Sequence, residues 1–278
     1  MTGPNDRARL LEIAELAARA AGAELLRSFE SELLGVQWKT WQGERTVVTD
    51  ADFAADRAIR EVLAEHVPGH TVYSEEFADH EEIDGPDVWV IDPLDGTDNY
   101  SRGQPQFCVS VAHTCHTRPD AAAIYDPVRD EMFAVVADGP AKLNGRPIEV
   151  TGRTDPSEST VAWAQRGINE DDDRRYNAAL AEAARTFHRV RLTGSAALET
   201  AWVAAGRYDG AMFSSVKWWD HAGAGLLVQR AGGQVTNVRG LPAGPASRRC
   251  IFSNGEIHEA IYEIARRHGL ERAFPVHG

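Results

Sequence analysis

Cysteine is scarce in this sequence. Three of the 278 residues are cysteine, and no two of them have the Cys-x-x-Cys spacing. An odd number without that spacing predicts neither a disulfide framework nor a zinc site. We therefore expect Cys108, Cys115 and Cys250 to be buried, reduced thiols in a cytoplasmic protein.

Positive charge and long apolar runs are also scarce. The chain carries 29 Lys and Arg residues against 42 Asp and Glu residues, a net charge of −13. This balance argues against a surface for nucleic acid or for an anionic membrane, which needs a basic patch. No run approaches a membrane span, and the first residues lack the apolar core of a signal peptide. We expect a soluble, cytoplasmic protein whose anionic ligands require bound cations.

What the chain does contain is a concentration of acids after an apolar segment. Val88 to Ile91 predicts a short buried strand, and Asp92, Asp95 and Asp98 follow it closely. Carboxylates crowded at a strand end repel one another unless a cation neutralises them, and ligands that offer only oxygen favour a hard ion such as Mg²⁺. By itself this pattern also fits a surface turn or a single calcium loop.

The residues after these acids are suited to an anion. Gly96 permits an unusual backbone angle, and Thr97 or Asp98 can cap a helix whose free N–H groups would face a phosphate. We therefore predict a metal and a phosphate at the same place.

Further acids occur at similar positions elsewhere in the chain. Glu75 follows the predicted strand Thr71 to Ser74, so neighbouring strands would present acids at one pole of a sheet. Asp50 and Asp52 precede a predicted helix, where they could simply favour its N-terminal dipole.

Several segments together resemble one known family. The stretch DPLDGTDNY, residues 92–100, is similar to the signature DPxDGTxNF of the inositol monophosphatase family. The segments VVTDAD (47–52), TGSAAL (193–198), WWDHAGAG (218–225) and SNG (253–255) resemble other family motifs in the same order. The last long motif is usually WDxAAG, so the order Gly223-Ala224 departs slightly from the pattern.

The resemblance implies a lithium-sensitive, Mg²⁺-dependent phosphomonoesterase that holds two or three Mg²⁺ ions and forms a homodimer. Its reaction would be direct attack of a metal-activated water on a small-molecule phosphate ester, without a phosphoenzyme. The metal ligands that it implies are Glu75, Asp92, the Leu94 carbonyl, Asp95 and Asp220. The catalytic residues that it implies are Thr97, Asp52 as the partner of Thr97, and Glu75. The substrate-binding residues that it implies are Gly96, Thr97, Gly194, Ser195 and Phe213, although Ser195 could equally be a helix cap without a ligand.

The identity of the phosphate ester stays open at this point. Phe213 stands where inositol phosphatases of the family usually carry a glutamate for sugar hydroxyls. Asp98 either pairs with Arg102 one helical turn on or selects a cationic substrate such as histidinol phosphate. His221 is also found in the branch that hydrolyses adenosine 3′,5′-bisphosphate, and Trp218 either stacks on a base or belongs to the core.

Inositol phosphate is our first expectation, followed by histidinol phosphate and then adenosine 3′,5′-bisphosphate. A metal-binding homologue without activity is the non-enzymatic alternative, but the complete set of acids and Thr97 argue against it. A metal-dependent nuclease is disfavoured by the acidic surface.

The same patterns predict the architecture. Helical spacing of apolar residues runs from Arg7 to about Leu34, and a polar turn in residues 36–48 suggests two short strands. Three apolar runs between residues 107 and 137 predict an antiparallel meander, and strands alternate with helices after about residue 151. We predict an α/β (α+β) protein, a layered αβαβα sandwich of the inositol monophosphatase and sugar phosphatase type. Its halves would be an α+β half, 1–150, with most metal ligands, and an α/β half, 151–278, that completes the site between them.

Overall fold

The computed structural model describes residues 4–29, 36–41, 44–77, 83–163 and 170–272, with the backbone alone for residues 4, 5 and 36–48. No helix in these ranges is both long enough and apolar enough to cross a membrane.

The described helices are numbered in chain order. They are α1 (Pro4–Phe29), α2 (Asp50–His66), α3 (Thr97–Ser101), α4 (Glu170–Thr186), α5 (Ala196–Ala204), α6 (Trp218–Arg230) and α7 (His258–Arg267).

The described strands are numbered in the same way. They are β1 (Val36–Trp41), β2 (Glu44–Thr49), β3 (Thr71–Ser74), β4 (Val88–Asp95), β5 (Cys108–Cys115), β6 (Arg118–Asp126), β7 (Glu131–Val136), β8 (Lys142–Leu143), β9 (Arg146–Pro147), β10 (Thr160–Trp163), β11 (Arg189–Arg191), β12 (Gly210–Phe213), β13 (Gln234–Asn237) and β14 (Cys250–Ser253).

These strands form two large sheets and one hairpin. The first sheet has seven strands in the sequential order β3 to β9, in which β3 and β4 are parallel and the other neighbours antiparallel. The second sheet has five strands in the order β11-β10-β12-β14-β13, with β10 parallel to both of its neighbours and the remaining pairs antiparallel. Strands β1 and β2, which lie in the segment predicted to form two short strands, pair with each other in an antiparallel hairpin.

Helices cover and separate the two sheets, which gives five layers. Helices α1 and α2 pack on one face of the first sheet around a core that includes Trp89, Ile91 and Tyr100. Helices α5 and α6 lie between the sheets in a second core, and α4 and α7 cover the outer face of the second sheet. The predicted αβαβα sandwich is therefore confirmed.

The amphipathic pattern of the N-terminal helix is confirmed over the described range. Leu10, Ile13, Ala14 and Ala17 are buried, as their helical spacing predicts. Helix α1 ends at Phe29 in the described residues, and positions 30–34 of the predicted helix lie outside them.

The acidic signature differs from the prediction at two points. Strand β4 continues through the acids to Asp95, because Asp92 pairs with Ser110 and Asp95 with Cys108, with an irregularity between them. The prediction that Thr97 or Asp98 caps the next helix is wrong, since the N-cap of α3 is Gly96, whose φ of 97° is left-handed.

The predicted meander and the alternation after it are both present. Strands β5, β6 and β7 form antiparallel pairs. Helix α4 begins at Glu170, and its first turn carries acids that favour a helix N-terminus. The boundary at residue 150 falls between β9 and β10, but the core between the sheets draws residues from both sides. Division into two halves stays a prediction.

Candidate active site

Three aspartates meet where the first sheet faces the second. Asp92 and Asp95 lie at the end of β4, and Asp220 lies in the first turn of α6. A ligand oxygen from each of the three lies within 4.8 Å of the others. Asp220 lies 125 positions after Asp95 in the chain, and the three acids thus converge on a point small enough for one cation or a pair.

Burial makes this convergence costly without a positive charge. Asp92 is 1% exposed, and its pKa is raised well above the usual value by burial and then by the charges of Glu75, Asp95 and Asp220. Burial, followed by the charge of Asp95, raises the pKa of Asp220 to about 7. A bound cation would reverse both effects, because it favours the ionised form of each carboxyl. A donor set made of oxygen fits Mg²⁺.

Asp95 joins the first sheet to helix α5, which lies between the two large sheets. Its Oδ2 accepts hydrogen bonds from Ser195 Oγ at 2.6 Å and from the Ala197 N–H at 2.8 Å, and its Oδ1 accepts one from the Ala196 N–H at 3.2 Å. The carboxylate therefore caps the N-terminus of α5, about one hundred residues along the chain. In this arrangement the Ser195 hydroxyl, predicted to contact substrate, holds a predicted metal ligand.

Glu75 and Leu94 border the three aspartates. The Glu75 N–H donates to the Ile91 carbonyl at 3.2 Å, which places the residue beside the end of β4. The Leu94 N–H donates to Asp92 Oδ1 at 3.0 Å and orients that carboxylate. The Leu94 carbonyl oxygen lies 3.0 Å from Thr97 Oγ1, so it competes with Asp52 for the single hydroxyl proton of Thr97, and it keeps a second lone pair.

A chain of hydrogen bonds connects Thr97 to Asp52. Thr97 Oγ1 lies 3.1 Å from Asp52 Oδ1. The other oxygen of Asp52 accepts the Thr49 N–H at 2.7 Å and the Thr49 hydroxyl at 2.6 Å. Burial raises the pKa of Asp52 to about 6, while the hydrogen bonds from Thr49 and Thr97 oppose this rise. Asp52 also forms a capping box with Thr49 at the start of α2. The same carboxylate therefore stabilises the helix N-terminus and contacts Thr97.

Two glycines permit close approach of the backbone at the site. A Cβ on Gly96 would lie 2.7 Å from the Gln106 carbonyl, and its φ is +97°. Gly194 has a φ of +84° and lies beside the side chain of Asn99. Asn99 Nδ2 donates to the carbonyls of Gln106 and Thr193, both at 2.7 Å, and so ties the two glycine turns together.

A cavity of about 410 Å³ opens next to the aspartates. Five of its lining residues form an apolar wall, namely Trp163, Leu192, Ala196, Phe213 and Val216. Its lining also includes Asp95, Gly194, Ser195, Glu199 and Asp220. The cavity thus combines predicted metal ligands with an apolar wall.

Sequence reasoning missed Trp163 and Glu199. Trp163 is 2% exposed, and Glu199 is 2% exposed with its pKa raised to about 7 by burial. Glu199 accepts the Thr193 N–H at 3.0 Å, which links it to the loop of Gly194. Glu199 is an acid inside an apolar helix, and that was the available signal. Trp163 at the end of β10 carried no signal, because strand aromatics usually pack.

The structure also shows the surroundings of three residues whose roles the sequence left open. Asp98 and Arg102 form the expected i,i+4 ion pair at 3.2 Å, with 62% of each side chain exposed. Trp218 is 4% exposed and belongs to the core between the sheets. His221 is 3% exposed, packs edge-on against Trp218 and lies 3.2 Å from the Ser247 carbonyl. Burial lowers the pKa of His221 to about 4. Trp218 and His221 thus form a packed pair within the core.

Comparison with known proteins gives consistent matches along almost the whole chain. Residues 6–270 match the model of the inositol monophosphatase family. An inositol-1-monophosphatase of Synechocystis sp. is 33% identical over 260 residues, covering 93% of this chain and 89% of that protein. Nus factor SuhB of Pasteurella multocida is 35% identical over 235 residues, covering 83% of this chain and 86% of that protein. The solved structure of an inositol monophosphatase from Anabaena (Nostoc) sp. is similar with a TM-score of 0.81 and 32% identity, covering 94% and 96% of the two chains.

Proposed function

Because this chain belongs to the inositol monophosphatase family, we propose that it is a Mg²⁺-dependent phosphatase that hydrolyses a small-molecule phosphate monoester. The observation that carries the proposal is the convergence of Asp92, Asp95 and Asp220 beside a cavity. Buried acids at such spacing raise one another's pKa, so they need a cation in order to stay ionised.

The oxygen donors that would hold Mg²⁺ are Glu75, Asp92, the Leu94 carbonyl, Asp95 and Asp220. When bound, two or three Mg²⁺ ions would lower the pKa of a water molecule and neutralise charge on the phosphoryl group and the leaving oxygen.

The remaining steps belong to side chains of this chain. When the Thr97 hydroxyl donates its one hydrogen bond to Asp52 and not to the Leu94 carbonyl, the lone pairs of Thr97 Oγ1 are left to orient the attacking water. Thr49 holds Asp52 from the opposite side and favours its ionised form. Glu75, whose charge acts on Asp92, would take up the proton of that water. We expect the backbone N–H groups of Gly96 and Thr97, together with the turn at Gly194, to bind the phosphate oxygens.

The leaving group would occupy the cavity. Inositol 1-phosphate is the first candidate, since two relatives that match more than nine tenths of this chain are named inositol-1-monophosphatase. The apolar wall favours a second candidate class, in which the alcohol carries a ring or an apolar part, such as histidinol phosphate or adenosine 3′,5′-bisphosphate. Phe213 and Trp163 can pack against such a group, but they cannot accept hydrogen bonds from a polyol.

The test is phosphate release with Mg²⁺ from inositol 1-phosphate, histidinol phosphate, adenosine 3′,5′-bisphosphate and fructose 1,6-bisphosphate, each repeated with added Li⁺. We expect one strong, Li⁺-sensitive substrate. Asp95→Asn should abolish turnover, whereas Asp98→Asn, which changes an exposed acid three residues further along the chain, should stay near wild type. Near-normal activity of Asp95→Asn would defeat the assignment of the site.

A metal-binding homologue without activity is the competing interpretation. It would bind Mg²⁺ and release no phosphate from any member of the panel. The Thr97 to Asp52 contact argues against it, because metal binding alone does not need an oriented hydroxyl. The family resemblance further implies a homodimer, which sedimentation equilibrium would measure.

A further inference from the structure

His113 lacks the hydrogen bonds that a buried imidazole normally makes. Its side chain is fully buried, and within the described part of the chain neither ring nitrogen has a hydrogen-bond partner. Burial also lowers its pKa, so the ring is neutral near pH 7 and offers a lone pair. Buried polar groups in native proteins are almost always satisfied, which makes this residue an exception that needs a cause.

The surroundings of His113 contain two further metal-ligand side chains. Strand pairing places Trp89 of β4 opposite His113 of β5. It also pairs Thr71 with Val88, so His70, just before β3, lies beside Asp87, just before β4. Because side chains alternate along a strand, His70, Asp87 and His113 point from the same face of the sheet. One ligand atom from each of the three lies within 4.8 Å of the others.

From these observations we propose a second metal site, formed by His70, Asp87 and His113, for a transition-metal ion such as Zn²⁺. His113 Nε2 lies 3.4 Å from Asp87 Oδ1. Donor atoms bound to one tetrahedral ion at about 2.0–2.1 Å lie about 3.3 Å from each other, so this contact has the spacing of two ligands of one ion. Two imidazoles and one carboxylate favour zinc and its neighbours over Mg²⁺.

The second ring nitrogen of His113, Nδ1, has the surroundings that are typical of a metal-bound histidine. Its Nδ1 lies 3.9 Å from Asp120 Oδ2, and Asp120 is held by Arg7 at 3.1 Å. Imidazoles that bind a metal through one nitrogen usually direct the other towards a carboxylate, which sets the tautomer. A small inward movement would bring Asp120 into that role.

An entry path leads to the ligands from the surface. A cavity of about 330 Å³ between the start of α1 and the end of α2 is lined by both His70 and Asp87. Water in this cavity would supply the fourth ligand. The site is separate from the active site, because Asp87 precedes Asp92 by five residues of extended chain, roughly 16 Å.

Cysteine spacing predicted no zinc site, and the proposed ligands do not include a cysteine. The three ligands come from separate positions along the chain, and only the pairing of β3, β4 and β5 brings them together. For this reason no short sequence motif indicates the site.

Metal binding should also change Trp89. Its indole N–H donates to His70 Nδ1 at 3.2 Å. Coordination through Nδ1 would use the lone pair that accepts this bond, and coordination through Nε2 would place a proton on Nδ1. The hydrogen bond is lost in either case, so Trp89 fluorescence reports on the site.

In the experiment, metal-free protein is titrated with Zn²⁺ by calorimetry. Excess Mg²⁺ is present so that it occupies the carboxylate site of Asp92, Asp95 and Asp220. A parallel titration with Co²⁺ follows visible absorption and tryptophan fluorescence. We expect one equivalent to bind to the wild type. Asp87→Asn should weaken binding by about tenfold or more, and His113→Phe should abolish it.

Two controls separate this site from other groups. His116→Gln changes an exposed histidine that pairs with Asp84, and it should bind Zn²⁺ like the wild type. Asp95→Asn should also keep the Zn²⁺ equivalent, even where it loses phosphatase activity. If His113→Phe does not fold, as judged by circular dichroism, Asp87→Asn decides, since Asp87 is 44% exposed. Wild-type affinity in Asp87→Asn, or no binding to the wild type, would overturn the proposal.

Discussion

The contact between Thr97 and Asp52 allows a sharp test of the reaction, because Asp52 has a second threonine donor that serves as a matched control. Thr97→Val removes a hydroxyl that lies 3.1 Å from Asp52 Oδ1 and 3.0 Å from the Leu94 carbonyl and that donates to one of them at a time. Thr49→Val removes a hydroxyl that bonds Asp52 Oδ2 at 2.6 Å. Both variants are nearly isosteric, and both leave Asp52 in place.

The effects on stability should be similar in the two variants. Each hydroxyl donates one hydrogen bond, and a bond to a carboxylate contributes about 1–2 kcal/mol, so Thr97→Val and Thr49→Val should each lose about 1–2 kcal/mol. For a chain of this size, 1 kcal/mol corresponds to a shift in Tm of about 2–4 °C. Thermal unfolding with and without Mg²⁺ would measure both losses.

The effects on the reaction should differ strongly. If Thr97 orients the attacking water, its loss should lower kcat/KM by about 10²–10⁴, or roughly 3–5 kcal/mol in the activation free energy. Thr49→Val should lower kcat/KM by less than about tenfold, because Asp52 keeps the bond from Thr97. Equal losses in the two variants, or a Thr97→Val variant with more than about a tenth of wild-type activity, would refute the assignment.

The pH profile supplies an independent check on the same pair. Asp52 must be ionised to accept the Thr97 proton, and its pKa is about 6, raised by burial. Activity should therefore rise with pH through about 6. The Thr49 hydrogen bonds oppose the increase in the Asp52 pKa, so Thr49→Val should move this limb to higher pH. If activity rose with pH at the same pH in Thr49→Val as in the wild type, a group other than Asp52 would control this rise.

Three further predictions concern stability and metal binding. Gly223→Ala should destabilise the fold by about 1–3 kcal/mol, since its Cβ would lie 2.9 Å from that of Ala122. Gly225→Ala should be neutral or stabilising, because no atom would lie nearer than 3.7 Å to its Cβ. Denaturant unfolding compares the two variants, and equal effects would contradict the packing argument. His258 is 5% exposed, and burial lowers its pKa to about 4. As the pH is lowered, the unfolded chain therefore binds a proton at His258 before the folded chain does, and the free energy of unfolding decreases between about pH 6.5 and about pH 4. The difference is at most about 3 kcal/mol, and His258→Gln should flatten this part of the curve of unfolding free energy against pH, while a slope equal to that of the wild type would show that other groups cause it. Mg²⁺ at one hundred times its Kd should stabilise the wild type by about 2.7 kcal/mol, and Asp95→Asn should lose most of this gain in a thermal shift assay; the same gain in both proteins would place the ion elsewhere.

Much of the fold could be predicted from local patterns. The spacing of Leu10, Ile13 and Ala17 predicts the buried face of α1, and strand β3 has the predicted bounds. These features depend on residues a few positions apart, whose periodicity is written directly in the chain. Element ends were less predictable: β4 runs on to Asp95 because β5 offers it partners beyond the apolar segment.

The identity of the acids was available from the sequence, but their arrangement was not. The motifs nominated Asp92, Asp95 and Asp220, and the structure brings these three together. It also places the Ser195 hydroxyl on Asp95, where the resemblance implied a contact with substrate. Glu75, Leu94, Gly96, Gly194 and Phe213 lie around the same cluster and cavity, and their roles stay predictions.

The sequence by itself determined the family, the layered architecture and the acids that could hold a cation, because local periodicity and short motifs carry this information. Only the tertiary structure decided that Asp95 caps α5 across the interface between the sheets, that Trp163 and Phe213 line one cavity, and that His113 faces Asp87. These contacts join residues far apart in the chain. They depend on strand pairing and helix packing, which no short stretch of sequence specifies alone.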